Sequence, residues 1–176
     1  KTLEYTKIRE RLTAQALSPM GKEKCNELVP LDDLSEIIRE QRETTEAVNM
    51  ALKKGRLPLG GIKDIRSHLE RAKAGGVLAI DELMAVGEFL YVCRKVKNYS
   101  KQENKSDIFP VLEDYFEIVK TINTVENEIN RCILNEQEVS DDASSGLRAV
   151  RREIRNANGS IRDKLNSIIY SAAYKT

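Results

Sequence analysis

The 176-residue chain has no tryptophan, a single histidine, three cysteines, four prolines and an aromatic content of only 5%. His68, the only histidine, lies in a short amphipathic stretch with no cysteine or acid pair at ligand spacing. It therefore reads as a partly exposed structural histidine, and the sequence offers neither a hydrolytic triad nor a metal-ligand set. Cys25, Cys93 and Cys132 are far apart and form no Cys-x-x-Cys pair. That excludes a secreted disulfide framework and fits a reducing, cytoplasmic setting. No apolar run approaches the roughly 18 residues of a membrane span; the longest, Phe89-Leu90-Tyr91-Val92-Cys93, is core material. Net charge is also missing. Lys plus Arg is 29 and Asp plus Glu is 28, a formal +1, which excludes a polybasic coat, an acidic tail and a disordered chain of high charge. The first residues are polar rather than signal-like, and Lys1 in place of Met suggests a chain cut from a longer protein.

What is abundant is Glu, Lys, Arg, Ile and Leu, the composition of helices packed on helices. Leu3, Ile8, Leu12 and Ala16 share a helical face over residues 2–16. Ser18-Pro19 then reads as an N-cap followed by Pro at the first helical position. Asp33 and Glu36 have capping-box spacing at the head of a longer helix that Gly55 closes. Residues 55–61, Gly-Arg-Leu-Pro-Leu-Gly-Gly, form the strongest loop. A short helix with Ile62, Ile65, Leu69 and Ala72 on one side follows and stops at Gly75-Gly76. The next carries Leu83, Val86 and Leu90, and gives way to a polar stretch over residues 98–106 that reads as a loop open to nicking. Pro110 restarts a helix with Leu112, Phe116 and Val119, and another carries Val125, Ile129, Cys132 and Ile133.

The last element is different. Leu147, Val150, Ile154, Ala157, Ile161, Leu165, Ile168 and Ala172 step by three and four along residues 145–173. Such a helix is about 43 Å long, against a radius of gyration of about 16 Å for a compact chain of this length. It is therefore expected to project. No period-two strand pattern and no internal repeat are visible, so the fold class is all-α: a helical core domain over residues 1–143 and a long C-terminal lever helix from 144 to 176.

A phosphate-cradling loop is absent from the sequence. Gly21-Lys22 is the only Gly-Lys pair, and Ala16 and Glu23 stand where that motif needs Gly and a hydroxyl residue. Charge is patterned, however. Arg148, Arg151, Arg152, Arg155, Arg162 and Lys164 crowd the last helix against Glu153 and Asp163, while acids dominate residues 103–142. A second basic cluster, Lys53, Lys54, Arg56, Lys63, Arg66, Arg71 and Lys73, surrounds the Gly-rich loop. Either cluster reads as a solvated face with local ion pairs or as a contact to a phosphate backbone, for which Arg supplies bidentate geometry. With no aromatic residues interleaved on the last helix, stacking on unpaired bases is not supported. The apolar steps Ile154, Ala157, Ile161, Leu165, Ile168 and Ala172 are a stripe suited to self-association.

Four motifs in order resemble the second, Smr-nuclease-bearing branch of the bacterial MutS family. They are Thr2-Leu3-Glu4-Tyr5-Thr6-Lys7-Ile8, Gly60-Gly61-Ile62-Lys63-Asp64-Ile65-Arg66, Gly75-Gly76-Val77-Leu78 and Glu138-Val139-Ser140-Asp141-Asp142-Ala143-Ser144, the last followed by Leu147-Arg148 and the arginine-rich helix. The resemblance covers essentially the whole chain and implies its N-terminal core and the start of the lever helix leading toward a clamp. It implies further that an ATPase using ATP and Mg, and an Smr nuclease, lie beyond residue 176, so that this chain carries no catalytic residue, cofactor or metal of its own. The implied whole is a dimeric cytoplasmic protein that acts on branched DNA to restrain recombination or splits collided ribosomes through rRNA. Two positions depart from the family's usual pattern: Ala79 replaces a polar cap ahead of Asp81-Glu82, and Ser145 stands where Pro is common. Mismatch reading is disfavoured, because no Phe here is followed two places on by Glu, as that family's wedge requires. From another functional class, a free-standing helical scaffold whose charged faces bind proteins fits the same composition.

Overall fold

The computed structural model describes residues 4–101 and 109–170. Among them are eight α-helices, a two-stranded hairpin and one 3-10 turn, so the all-α expectation holds. The chain divides into two compact units, Lys1–Asn127 and Glu128–Thr176, each with its own internal packing. Thr2 and Leu3 of the first motif, the part of the polar stretch from 102 to 106, and Ala172 with the end of the expected last helix lie outside the described residues.

The first unit opens with α1 (Tyr5–Gln15) and α2 (Pro19–Glu27), which pack on each other. Ser18 caps α2 as its sequence suggests, its Oγ accepting the Gly21 N–H at 3.0 Å, with Pro19 at the first helical position. Asp33 caps α3 (Leu34–Lys54) in the same way, accepting from the Glu36 N–H at 2.9 Å. Gly55 ends α3 with φ of 81°, a conformation that favours glycine.

The short helix α4 (Arg66–Lys73) starts later than expected. Ile62 lies before it, and Ile65 is its buried N-cap. Asp64 supplies the missing cap bond by accepting the Arg66 N–H at 3.0 Å. At the far end Gly76 donates to the Arg71 carbonyl at 2.9 Å. A Cβ on Gly76 would stand 2.7 Å from Arg71 Cγ, so the turn requires glycine.

The core of this unit lies along α5 (Ile80–Lys101), where Ala85, Val86, Leu90, Val92, Val96 and Tyr99 are buried. Its start shows how the departure at Ala79 is absorbed. Glu82 reaches back to accept the Ala79 N–H at 2.8 Å, half of a capping box without its hydroxyl partner. The same carboxylate takes Arg71 at 2.6 Å. His68 Nδ1 lies 3.2 Å from it, off the line of a hydrogen bond. His68 is thus a structural neighbour of a buried acid.

Helix α5 runs on through Asn98–Lys101, residues the polar composition had assigned to a loop. The cause is tertiary. Tyr99 is buried, donates its hydroxyl to the Gly55 carbonyl at 2.8 Å and packs its ring on Phe116. Helix α6 (Pro110–Ile118) has no local side-chain cap. Glu46 of α3 accepts from Val111 N–H at 3.0 Å and Leu112 N–H at 3.1 Å, placing an anion at the helix N-terminus. Lys97 Nζ donates to the Phe116 carbonyl at 2.7 Å near its other end.

Helix α7 (Asn123–Cys132) carries the boundary between the units. Ile133 was expected on this helix. Instead it begins β1 (Ile133–Asn135), paired antiparallel with β2 (Glu138–Val139). Asn135 Oδ1 accepts the Gln137 N–H at 2.9 Å across the turn. Asp141–Ala143 then form the 3-10 turn, with Ser140 Oγ accepting the Asp142 N–H. Ser144 caps α8 (Ser145–Ile169) by accepting the Leu147 N–H at 3.1 Å, so Ser145 takes the N1 place.

Candidate nucleic-acid interface

The 25 residues of α8 amount to a rod of about 37 Å at a rise of about 1.5 Å per residue. At about 100° per residue, Arg148, Arg152, Arg155 and Arg162 fall on one side and Arg151 on its flank. Val150, Ile154, Ala157, Ile161, Leu165 and Ile168 fall on the opposite side. Lys164 departs from the basic face and lies beside the apolar stripe. Along the stripe, Val150, Ile154, Ile161, Leu165 and Ile168 are between 52% and 56% exposed.

The arginines divide into two groups. Asp141, in the turn before the helix, sits between Arg151 at 2.7 Å and Arg155 at 3.1 Å. Arg151 Nη1 also donates to the Val139 carbonyl at 2.7 Å. Arg148 pairs with Asp142. The Arg151 hydrogen bond, with that of Arg155 second, holds the Asp141 carboxyl below its ordinary range. These contacts pin the hairpin and the 3-10 turn to the first turns of α8. Arg131 adds to them by donating to the Asp142 carbonyl and pairing with Glu128. Sequence reasoning missed this role for Asp141, Asp142 and Arg131. The only available signal was the ten- to fourteen-residue spacing from Asp141 to its arginines, which no helical periodicity highlights.

Arg152, Arg162 and Lys164 form the other group. All three are exposed and have no side-chain hydrogen bond or ion pair among the described residues. An unpaired guanidinium on a helix face keeps all its N–H donors for an external anion.

The second basic cluster, in the first unit, is more fully engaged. Arg66 forks onto Asp64 and Glu23, with Nη2 2.8 Å from Glu23. That pairing holds Asp64 down to about 2. Arg71 is taken by Glu82, and Lys54 stands 5.9 Å from the Tyr99 ring centre. Lys53 lies over Phe109. Arg56, Lys63 and Lys73 are exposed, but no described arrangement aligns them on one helix face.

Gly21-Lys22 does not fit a nucleotide phosphate. Gly21 is inside α2 and its N–H is spent on Ser18. Among the described residues no group of three His, Cys, Asp or Glu side chains is placed to hold a metal ion. No described helix is long and apolar enough to cross a membrane.

No family model matches the chain. Curated relatives do. The protein named Endonuclease MutS2 from Lachnoclostridium phytofermentans is 40% identical over 180 residues, covering 99% of this chain and 23% of that protein. Its namesake from Clostridium botulinum strain Alaska E43 is 41% identical over 97% of this chain and 22% of its own length. That of Alkaliphilus oremlandii is 37% identical over 98% of this chain and 22% of its own. The chain thus spans under a quarter of the length of the relatives it matches. With nearly every one of its residues inside those alignments, the chain belongs to the MutS2 endonuclease family and corresponds to one helical segment of its much longer members.

Proposed function

We propose that this chain is the helical core and the start of the lever of a MutS2-type protein, a mechanical part that touches the phosphate backbone of nucleic acid while catalysis resides elsewhere in the longer polypeptide. The core would cover residues 1–143 and the lever would begin at the Ser144 cap. Supporting the reading is the sidedness of α8, with Arg152 and Arg162, unpaired among the described residues, on one face and an exposed apolar stripe on the other. Backbone contact of this kind fixes position without reading sequence.

In the longer protein an ATPase binding ATP and Mg, and a nuclease, would use this helix to transmit rotation to a clamp. The setting would be cytoplasmic and the protein dimeric. Its substrate would be branched DNA, with suppression of recombination as the outcome, or a collided ribosome gripped through rRNA. The chemistry on α8 is the same in either case, a row of guanidiniums meeting phosphodiesters.

Fluorescence anisotropy with labelled duplex DNA, forked DNA and an rRNA fragment tests the reading. Weak binding to all three is expected at low salt, reduced about tenfold or more by Arg152→Glu with Arg162→Glu. Affinities unchanged by that double reversal would leave α8 as a solvated face. A preference for forked DNA over rRNA, or the reverse, would choose between the substrates.

A further inference from the structure

The same turn that anchors α8 places two carboxylates against its basic face. Asp141 bridges Arg151 and Arg155, Asp142 holds Arg148, and all five residues belong to one unit. Arg148 and Arg155 nonetheless keep side-chain exposures of 61%. Each arginine engages an aspartate through one terminal nitrogen, Nη2 in Arg148 and Nη1 in Arg151 and Arg155. Among the described residues their remaining N–H donors meet no protein acceptor apart from the Val139 carbonyl. A phosphate approaching those donors would come within a few ångströms of a carboxylate, and two anions so close repel.

We propose that the Asp141-Asp142 turn is an internal competitor for phosphate. In the free chain its carboxylates occupy Arg148, Arg151 and Arg155, and a phosphodiester backbone displaces them. The inference rests on the nucleic-acid reading of α8 and adds regulation to it. Arg152 and Arg162, unpaired among the described residues, make the first contacts. The three paired arginines join only when the turn gives way, so strong binding is coupled to a change at the junction of hairpin and helix. Arg148 and Arg155 hold their aspartates from exposed positions, and exposed ion pairs are weak and exchangeable, which suits a contact meant to be broken. The alternative is that the aspartates are permanent clamps and nucleic acid never meets these three arginines.

Asp141→Asn with Asp142→Asn keeps the size of each side chain and one of its two acceptor oxygens while removing the two charges. Titrations of the chain with labelled duplex DNA over a salt series read both affinity and the number of ions released. The double Asn variant is expected to bind more tightly at low salt. Its slope of log K against log salt should match that of the unaltered chain, because the same three arginines meet phosphate in both. A slope steeper by about 0.9 for each phosphate gained would mean that the aspartates clamp these arginines permanently. In the unaltered chain the Nε–Hε resonance of Arg151 should shift on saturation with DNA.

Unchanged affinity, or a steeper slope, in the Asn variant, beside a clear loss in the Arg152→Glu/Arg162→Glu variant, would overturn the competitor and leave the nucleic-acid reading standing. Absence of binding by every form, with Arg152 and Arg162 reversed or not, would remove both. If the Asn variant loses helicity, the resonance decides: an Arg151 signal unmoved at saturation overturns the proposal, and a shifted one supports it.

Discussion

Arg94 of α5 grips Glu126 of α7 through two guanidinium nitrogens, with separations of 2.8 and 3.0 Å, and the Glu126 side chain is only 3% exposed. The guanidinium also lies 5.1 Å from the Tyr91 ring centre. A carboxylate this deep depends on its partner, because removing one member of a buried pair leaves the other uncompensated. Arg94→Met should therefore lower the melting temperature of the chain markedly. Adding Glu126→Leu should restore most of the loss, since an apolar pair of similar volume dispenses with the buried charge. Thermal unfolding of the two single variants and the double variant checks this. Additive losses would mean that the pair is not a coupled unit.

The Asp64–Arg66 fork makes a pH-dependent contribution. Hydrogen bonds from Arg66 hold the Asp64 carboxyl at about 2, below its ordinary 3.8. A depressed carboxyl stabilises the fold fully above its unfolded value, and that stability is lost as pH falls through the folded value. Its contribution should be complete above about pH 4 and fade toward about pH 2. Carbon-detected NMR of the Asp64 side chain should place the midpoint near the lower value. Arg66→Gln should move it back toward 3.8. A midpoint indifferent to that substitution would show that Arg66 is not the cause.

Much of this fold was legible because local chemistry decided it. Ser18-Pro19, Asp33 and Gly55 sit at the helix ends where their side chains or backbone freedom are used. The misses arose where distant residues outweighed local preference. Polar Asn98–Lys101 is helical because Tyr99 is anchored by Gly55 and Phe116, residues remote in sequence. The hairpin from Ile133 to Val139 is too short for an alternating pattern to stand out. On α8 the arginines were visible as a cluster, but their division was not. Periodicity shows which face a residue occupies, whereas the partners of Arg148, Arg151 and Arg155 come from a turn outside the helix.

Gly159 lies inside α8, and a Cβ added there meets nothing within 4 Å. Glycine costs a helix interior about 0.8–1 kcal/mol relative to alanine. Gly159→Ala should therefore stabilise α8 by about that amount, read as raised helicity and slower amide exchange around the site. No gain, or a loss, would indicate that the helix bends or opens at this position.

The apolar stripe of α8 should support self-association. A fully buried Ile or Leu contributes about 1.5–3 kcal/mol, and Ile154, Ile161, Leu165 and Ile168 are all more than half exposed. Light scattering over a concentration series should give a mass rising from monomer toward a two-fold dimer. Ile161→Asp should hold the chain at the monomer mass throughout. A monomer at every concentration in both forms would rule the stripe out as a dimer seam.

The arginine face of α8 is proposed to meet a phosphate backbone. The most direct measurement is the salt dependence of forked-DNA binding, compared between the chain and its Arg152→Glu/Arg162→Glu variant. Each lost phosphate contact should flatten the slope of log K against log salt by about 0.9. The expected result is therefore a drop of about 2 in slope together with weaker binding. Equal slopes and equal affinities in the two forms would contradict the claim.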